Sequence, residues 1–345
     1  MTNSRRILVT GGAGYVGAVL VSKLLAAGHR VRVLDWFLYG EEVLSAHASN
    51  NNLEQHSGDI RDESLVASLV SGCDAVIHLA CISNDPSFEL DPELGRSINL
   101  DAFDPLVRAS RDAGVARFIY ASTSSVYGLS DAPDVTEDHP LRPLTDYSRF
   151  KAQCEEQLRE YEAPDFTTVT LRPATVCGYS PRLRLDLTVN ILTNHAVNNG
   201  VIKVFGGTQK RPNIHIDDVT DLYVQLLDEP HERVAGKTFN AGYENHTVAE
   251  IATFVRDVVR AELPERKLLD IVTTPSDDLR SYHISSQKIA RELGYRPRRS
   301  IEDAVRDLVH AFVAGKIPNS MTDMKYFNVE MMKNHPIPAY TESSR

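Results

Sequence analysis

The segment Thr10-Gly11-Gly12-Ala13-Gly14-Tyr15-Val16-Gly17 constrains this 345-residue chain more than any other. A short apolar run, Ile7 to Thr10, leads into it, and a helical pattern over residues 15–27 follows. Strand, glycine-rich turn and helix in that order open a βαβ unit. Gly11 permits the tight turn, Gly14 lets a pyrophosphate approach the backbone, and Gly17 lets the helix pack close to the sheet. The helix N-terminus, worth roughly half a positive charge, then faces phosphate.

Further strands are expected at Val31 to Leu34, at residues 52–55, at Ala75 to Leu79, at Phe118 to Ser122 and at Thr168 to Arg172. Helical patterns over 63–70, 93–113 and 145–161 separate them, the second despite Pro105. The strands are continuous apolar runs, as buried parallel strands are. The predicted class is α/β: a Rossmann doubly wound parallel sheet with a smaller C-terminal substrate-binding α/β lobe. Beyond Thr175 the strand–helix rhythm loosens, so residues 1–175 are expected to form the dinucleotide-binding domain and 176–345 mainly the second lobe and a tail. Ser300, with Asp303 three residues on, is expected to start the last helix. Four of the five methionines, Met321, Met324, Met331 and Met332, fall in the tail, which reads as a flap over apolar surface, or else as a lid or dimer contact.

Asp35 closes the second predicted strand eighteen residues after Gly17, where an acid binds the adenosine ribose hydroxyls. A 2′-phosphate ~4 Å from that carboxylate would be repelled by about 4 kcal/mol per charge pair at an effective dielectric of ~20. Trp36 follows it rather than an arginine, so NAD is expected over NADP. Asp59, followed by Ile60, ends the next strand within reach of an adenine amino group. His78, inside an apolar run, reads as a hydrogen-bonded core histidine.

With 37 basic against 47 acidic residues and a net charge of −10, the chain lacks the global basic field of a nucleic-acid binder. Local arginines and backbone N–H groups must hold any anionic ligand. No run approaches the ~18 apolar residues of a membrane span, and the first residues lead straight into a strand with no secretory pattern. Cys73, Cys81, Cys154 and Cys177 form neither a CxxC pair nor a cluster with zinc spacing. Free thiols, no metal and a reducing cytoplasm are expected.

Tyr147 and Lys151 lie four residues apart in a helical stretch and so share a face. A phenol needs about three pKa units, or ~4 kcal/mol, to act as a base near neutrality. An ammonium ~4 Å away at an effective dielectric of ~20 supplies about that much. The pair suits removal of a hydroxyl proton coupled to hydride loss to NAD.

These features, together with His78-Leu79-Ala80, Asn99, Ser122-Thr123 and Val126-Tyr127-Gly128, resemble the extended short-chain dehydrogenases/reductases. The likeness spans at least residues 5–310 and is greatest to nucleotide-sugar epimerases and dehydratases of the UDP-glucose 4-epimerase type. It implies bound NAD, a nucleotide-diphosphate sugar as substrate and a homodimer through the helices near 94–113 and 145–161. It implies a catalytic set of Thr123, whose hydroxyl bonds the reacting sugar oxygen, Tyr147 and Lys151. Cofactor contacts would come from Gly11, Gly14, Tyr15, Val16, Gly17, Asp35, Asp59, Ile60, Leu79, Ala80, Asn99, Tyr147, Lys151 and Pro173. Arg211, in Arg211-Pro212-Asn213-Ile214-His215-Ile216-Asp217-Asp218-Val219, and Arg280 match the family's two diphosphate arginines, and guanidinium forks suit phosphate. Val204-Phe205-Gly206 resembles the segment along the nucleotide base, and Asp217-Asp218 is expected to cap a helix. Further substrate contacts are expected from Ser83, Ser124, Thr175 and Asn190, with Arg182 and Arg184 beside them. In the family's turn beside the nicotinamide, Cys177 stands for the usual tyrosine, Tyr179 for proline and Thr175 for asparagine.

In the family, sugar dehydratases carry acid/base carboxylates just after the catalytic threonine, and decarboxylating relatives a glutamate there; here stand Ser124 and Ser125. Ser125 also occupies the place of the cysteine of 3,5-epimerising relatives. The oxidation–reduction pair alone remains, which suffices for epimerisation at C4 through a transient 4-keto sugar. The alternatives are a ketoreductase or dehydrogenase, then a 4,6-dehydratase drawing on Ser83, Asn84, Asp85 or Glu89, and a non-enzymatic NAD-sensing protein.

Overall fold

The computed structural model describes residues 4–130, 132–266, 268–276, 281–335 and 337. Twelve strands are described: β1 (Arg6–Thr10), β2 (Arg30–Asp35), β3 (Leu53–Ser57), β4 (Ala75–His78), β5 (Arg117–Ala121), β6 (Thr167–Pro173), β7 (Thr175–Cys177), β8 (Val201–Phe205), β9 (Lys210–His215), β10 (Lys237–Ala241), β11 (Glu244–Thr247) and β12 (Asp270–Thr274). Seven form one parallel sheet in the order β10-β6-β5-β4-β1-β2-β3. Thr10 sits opposite both Leu34 and His78, so β1, β2 and β4 end level. The strand order reverses beside β1, and a crevice at the carboxyl ends follows from that topology.

Side-chain alternation explains the apolar runs. Ile7, Val9 and Val33 pack on one face of the sheet, Leu8, Leu34 and Val76 on the other, and both faces are buried. The expected Rossmann class is what the sheet shows. β11-β9-β7 and β12-β8 form two small further sheets, and a separate core of Leu192, Ile251, Val255 and Val305 fills the second lobe. Only Ala174 separates β6 of the main sheet from β7, the first strand of the lobe. The chain then returns: the helix Ile216–Asp228 packs beside the helix Tyr15–Ala26, and β10 adds an edge strand next to β6. The division expected at 175/176 leaves out that return, because the second lobe is inserted before the last strand.

Two local expectations differ from the structure. The helix expected over 93–113 is Pro92–Arg96, a widened turn Ser97–Asp101 and a helix Phe103–Asp112. Pro105 falls in the first turn of that last helix, where a missing N–H costs nothing. Asp217-Asp218 does not cap the helix Ile216–Asp228; His215 does, its Nδ1 accepting from the Asp217 N–H at 3.1 Å. Asp217 pairs with Lys23 at 3.0 Å, and buried Asp218 accepts from the Arg298 and Arg299 N–H groups. Ser300 does cap the helix Ile301–Val313 reciprocally with Asp303.

Candidate active site

The carboxyl ends of the central strands open onto a cleft of about 430 Å3. At its floor Gly11 has φ 75°, and a Cβ there would lie 2.7 Å from the Ala80 nitrogen. A Cβ on Gly17 would lie 2.2 Å from the Gly11 carbonyl oxygen, so Gly17 serves the close fit of helix to loop. The contact with the sheet belongs instead to Gly12, whose Cβ would fall 2.7 Å from the Val33 side chain. Gly14 is the N-cap of the helix Tyr15–Ala26; no side chain caps it, and its first turn carries no acid. Those N–H donors are left for an anion. The Asp35 carboxylate is oriented by the Ala13 and Phe37 N–H groups, each at 2.9 Å. Burial raises its pKa, against those two bonds and the positive charge of Arg182. A cradle that admits no Cβ, uncapped helix donors and an oriented carboxylate fit a dinucleotide.

Gly11, Gly14, Tyr15, Val16, Gly17, Asp35, Ile60, Leu79, Ala80, Tyr147, Lys151 and Pro173 all line the cleft. Asp59 and Asn99 are not among its lining residues. Asp59 is held by Arg61 at 2.6 Å. Asn99 is buried in the widened turn, and its amide accepts from the Ile82 N–H at 2.8 Å and donates to the Ile82 carbonyl at 2.9 Å. It braces the loop after β4. His78 is the core histidine expected: buried, with Nδ1 2.7 Å from the Thr10 hydroxyl.

Thr145 and Ser148 cap the helix Asp146–Glu160 reciprocally and set its first turn beside the cleft. Tyr147 and Lys151 both reach the cleft from this helix. Lys151 donates to the Ala121 carbonyl at 2.7 Å, and its Nζ lies 6.0 Å from the Tyr147 ring centre. Burial pushes the Tyr147 phenol well above its ordinary value; Cys81 and Asp85 push the same way and Arg184 opposes. Thr123 lines the cleft and accepts from the Ser125 N–H at 3.2 Å. One helical turn beyond Lys151, buried Glu155 pairs with Arg172 of β6 at 2.6 Å and accepts from the Ser122 hydroxyl. Arg172 donates to the Tyr127 hydroxyl, and that to Asn240, each at 2.7 Å. This network locks the Tyr147 helix to the strand end that carries Thr123. Sequence reasoning missed it, although Glu155 continues the i, i+4 series of Tyr147 and Lys151.

Ser83, Ser124, Ser125, Thr175 and Arg211 also line the cleft. Asn190 does not; fully buried, it accepts from the Gly178 N–H at 3.1 Å and donates to the Tyr15 hydroxyl at 3.1 Å. Arg280 lies outside the described residues. Arg184 is held by Asp186 at 2.9 Å and reaches the Ser83 hydroxyl at 3.3 Å. Asp85 accepts from the Thr145 hydroxyl at 2.6 Å. Cys177 is buried against the second lobe, its thiol 3.5 Å from the Ile214 carbonyl. The tail enters the site: Asn328 donates to Ser83 at 3.0 Å, and Met332 lines the cleft and packs in the first domain's core. Met321 and Met324 are exposed. Nothing in the pattern of the tail pointed to Asn328.

Residues 7–242 match the model of the NAD dependent epimerase/dehydratase family. The UDP-glucose 4-epimerase of Mycolicibacterium smegmatis is 30% identical over 315 residues, 89% of this chain and 98% of that protein. The low-salt glycan biosynthesis protein Agl12 of Haloferax volcanii is 28% identical over 89% of this chain and 98% of its own. Among solved structures, the dTDP-glucose 4,6-dehydratase DesIV of Streptomyces venezuelae, with NAD bound, superposes with a TM-score of 0.78 at 27% identity, covering 89% of this chain and 97% of that one. With the glycine cradle, the oriented Asp35 and the Tyr147–Lys151 helix all at one cleft, the chain belongs to the NAD-dependent epimerase/dehydratase family of extended short-chain dehydrogenases/reductases.

Proposed function

We propose that the protein is a nucleotide-sugar epimerase acting at C4. NAD, held by the glycine loop and Asp35, would supply the hydride acceptor and donor. Thr123 hydrogen-bonds the reacting C4 oxygen, and Tyr147 takes the hydroxyl proton and returns it after the keto sugar has turned over. For that, positive charge must offset the burial that raises the phenol: Arg184 already opposes it, and the Lys151 ammonium stands 6.0 Å from the ring centre. Arg211 and Arg280 are assigned to the diphosphate, and a homodimer through the helices Phe103–Asp112 and Asp146–Glu160 belongs to the same reading.

One observation carries the choice of reaction: the cleft side chains that follow Thr123 are the hydroxyls of Ser124 and Ser125. Eliminating the 6-hydroxyl needs an acid and a base there; turning a ketone over needs neither. Asp85, a carboxylate in the cleft on the Thr145 hydroxyl, favours 4,6-dehydration as the second reading. Incubation with UDP-, GDP-, CDP- and dTDP-sugars, followed by NMR, separates the two. A C4 epimer without NADH consumption is expected; a 4-keto-6-deoxy product, or stoichiometric NADH oxidation on a keto sugar, overturns the proposal. Tyr147→Phe is expected to lower turnover at least 10³-fold while the protein keeps its NAD, and near-normal turnover removes Tyr147 from the base role.

A further inference from the structure

We infer that Arg182 grips the diphosphate of the bound NAD from the second lobe, opposite the glycine loop, so that the cofactor is held between the lobes. Arg182 lines the cleft with only 4% of its surface exposed. Among the described residues it forms no salt bridge, and its Nε–H finds no acceptor. A guanidinium taken out of water without a paired anion is unfavourable, and buried charges are ordinarily paired. Burial and the charge of Arg184 pull its pKa down to about 10, and Tyr39, Asp186 and Asp35 only partly oppose that.

The side chain is held in place. The Tyr39 ring lies 3.5 Å from the guanidinium carbon, and the Asn328 side-chain oxygen accepts from Nη2. Asn328 is fixed in turn through its N–H on Asp186 at 3.2 Å and its amide on Ser83 at 3.0 Å. Arg182 therefore offers its fork from a stacked plane, the geometry that suits phosphate oxygens.

Its neighbours tell the two ends of the cleft apart. The Tyr39 ring against Arg182 follows β2, whose last residue is Asp35, and Arg182 acts electrostatically on that carboxylate. Arg184, whose charge reaches Tyr15 and Tyr39 as well, is bonded to Ser83 beyond β4 and acts on Tyr147. Arg182 thus belongs to the adenosine diphosphate half of the cofactor, not to the sugar. A 2′-phosphate would also suit an arginine, but it would meet the Asp35 carboxylate.

The test is binding and needs no sugar substrate, so its failure leaves the C4 reading untouched. NADH is titrated into the full-length protein by fluorescence and displaced with ADP-ribose, 2′-phospho-ADP-ribose or adenosine. Arg182→Gln is expected to weaken ADP-ribose at least tenfold, to leave adenosine within twofold, and to lower the fraction of protein purified with NAD. An unchanged ADP-ribose affinity overturns the inference. So does an equal loss for adenosine, which makes the arginine a prop of the fold, or a loss confined to the 2′-phosphorylated probe. Should Arg182→Gln not fold, Asn328→Ala frees the guanidinium and is expected to weaken ADP-ribose about threefold with adenosine unchanged; no change overturns the inference.

Discussion

His78 ends β4 with its ring stacked 5.8 Å from Tyr120. Burial, aided by the charge of Lys151, holds its pKa down to about 3 from the ordinary 6.5. Below pH 6.5 the unfolded chain takes up a proton here that the native chain refuses until about pH 3. Stability from this site is therefore complete above that window and is lost as pH falls through it, by about 1.4 kcal/mol per pH unit. Urea unfolding between pH 6 and pH 4 is expected to show that extra slope in the wild type and not in His78→Leu; equal slopes would remove His78 from the acid sensitivity. Groups such as His78, Asp35, Tyr147 and Lys151 were readable from the sequence because each is marked by its own neighbours. Arg172 and Glu155 are 17 residues apart, and Arg182 and Asn328 146 apart. No local pattern pairs them, so the network behind the tyrosine and the underpaired arginine emerge only from the fold.

At the scale of elements, the glycine loop shows how far a motif specifies its own geometry. Its sequence foretold strand, turn and helix, and it foretold that Gly17 tolerates no side chain, but not the reason. The obstacle is the loop's own backbone: a Cβ on Gly17 would stand 2.2 Å from the Gly11 oxygen and 2.7 Å from the Gly12 Cα. Backbone cannot step aside as a flexible side chain does. Gly17→Ala is therefore expected to open the loop and to yield folded protein with less than a tenth of the wild-type NAD content, read by absorbance after heat release. Wild-type NAD content in that variant would show that the loop relaxes. Capping was legible where donor and acceptor sit three residues apart, as at Ser300 and Asp303. Two acids before a helix mislead at Asp217 and Asp218 because they are drawn to Lys23 and to residues 298–299 from elsewhere in the chain. The widened turn at Ser97–Asp101 escapes the helical pattern for a related reason: Asn99 there is bonded to the Ile82 backbone.

For the whole molecule the decisive joint is where the glycine-loop helix meets the second lobe. Tyr15 starts that helix with its ring along the cleft, while its hydroxyl donates to the Gly178 carbonyl at 2.7 Å and accepts from Asn190 at 3.1 Å. Ser180 returns a bond to the Tyr15 carbonyl at 2.8 Å. Burial keeps this phenol protonated, so it acts as a fixed donor and not as an acid. Asn190, expected at the substrate, is used here instead: it ties Tyr15 to Gly178 and to the Arg184 carbonyl at 2.8 Å, and so sets the loop that carries Arg182 and Arg184. Tyr15→Phe leaves the buried Gly178 carbonyl and one N–H of the Asn190 amide without a partner, at a cost of about 1–3 kcal/mol in urea unfolding. Because the break lies between lobes and not within either core, amide exchange is expected to quicken for Gly178 and residues 184–191, with β4 and β5 unchanged. Uniform quickening across the main sheet would mean instead that the hydroxyl supports the Rossmann core and that the lobes are joined elsewhere.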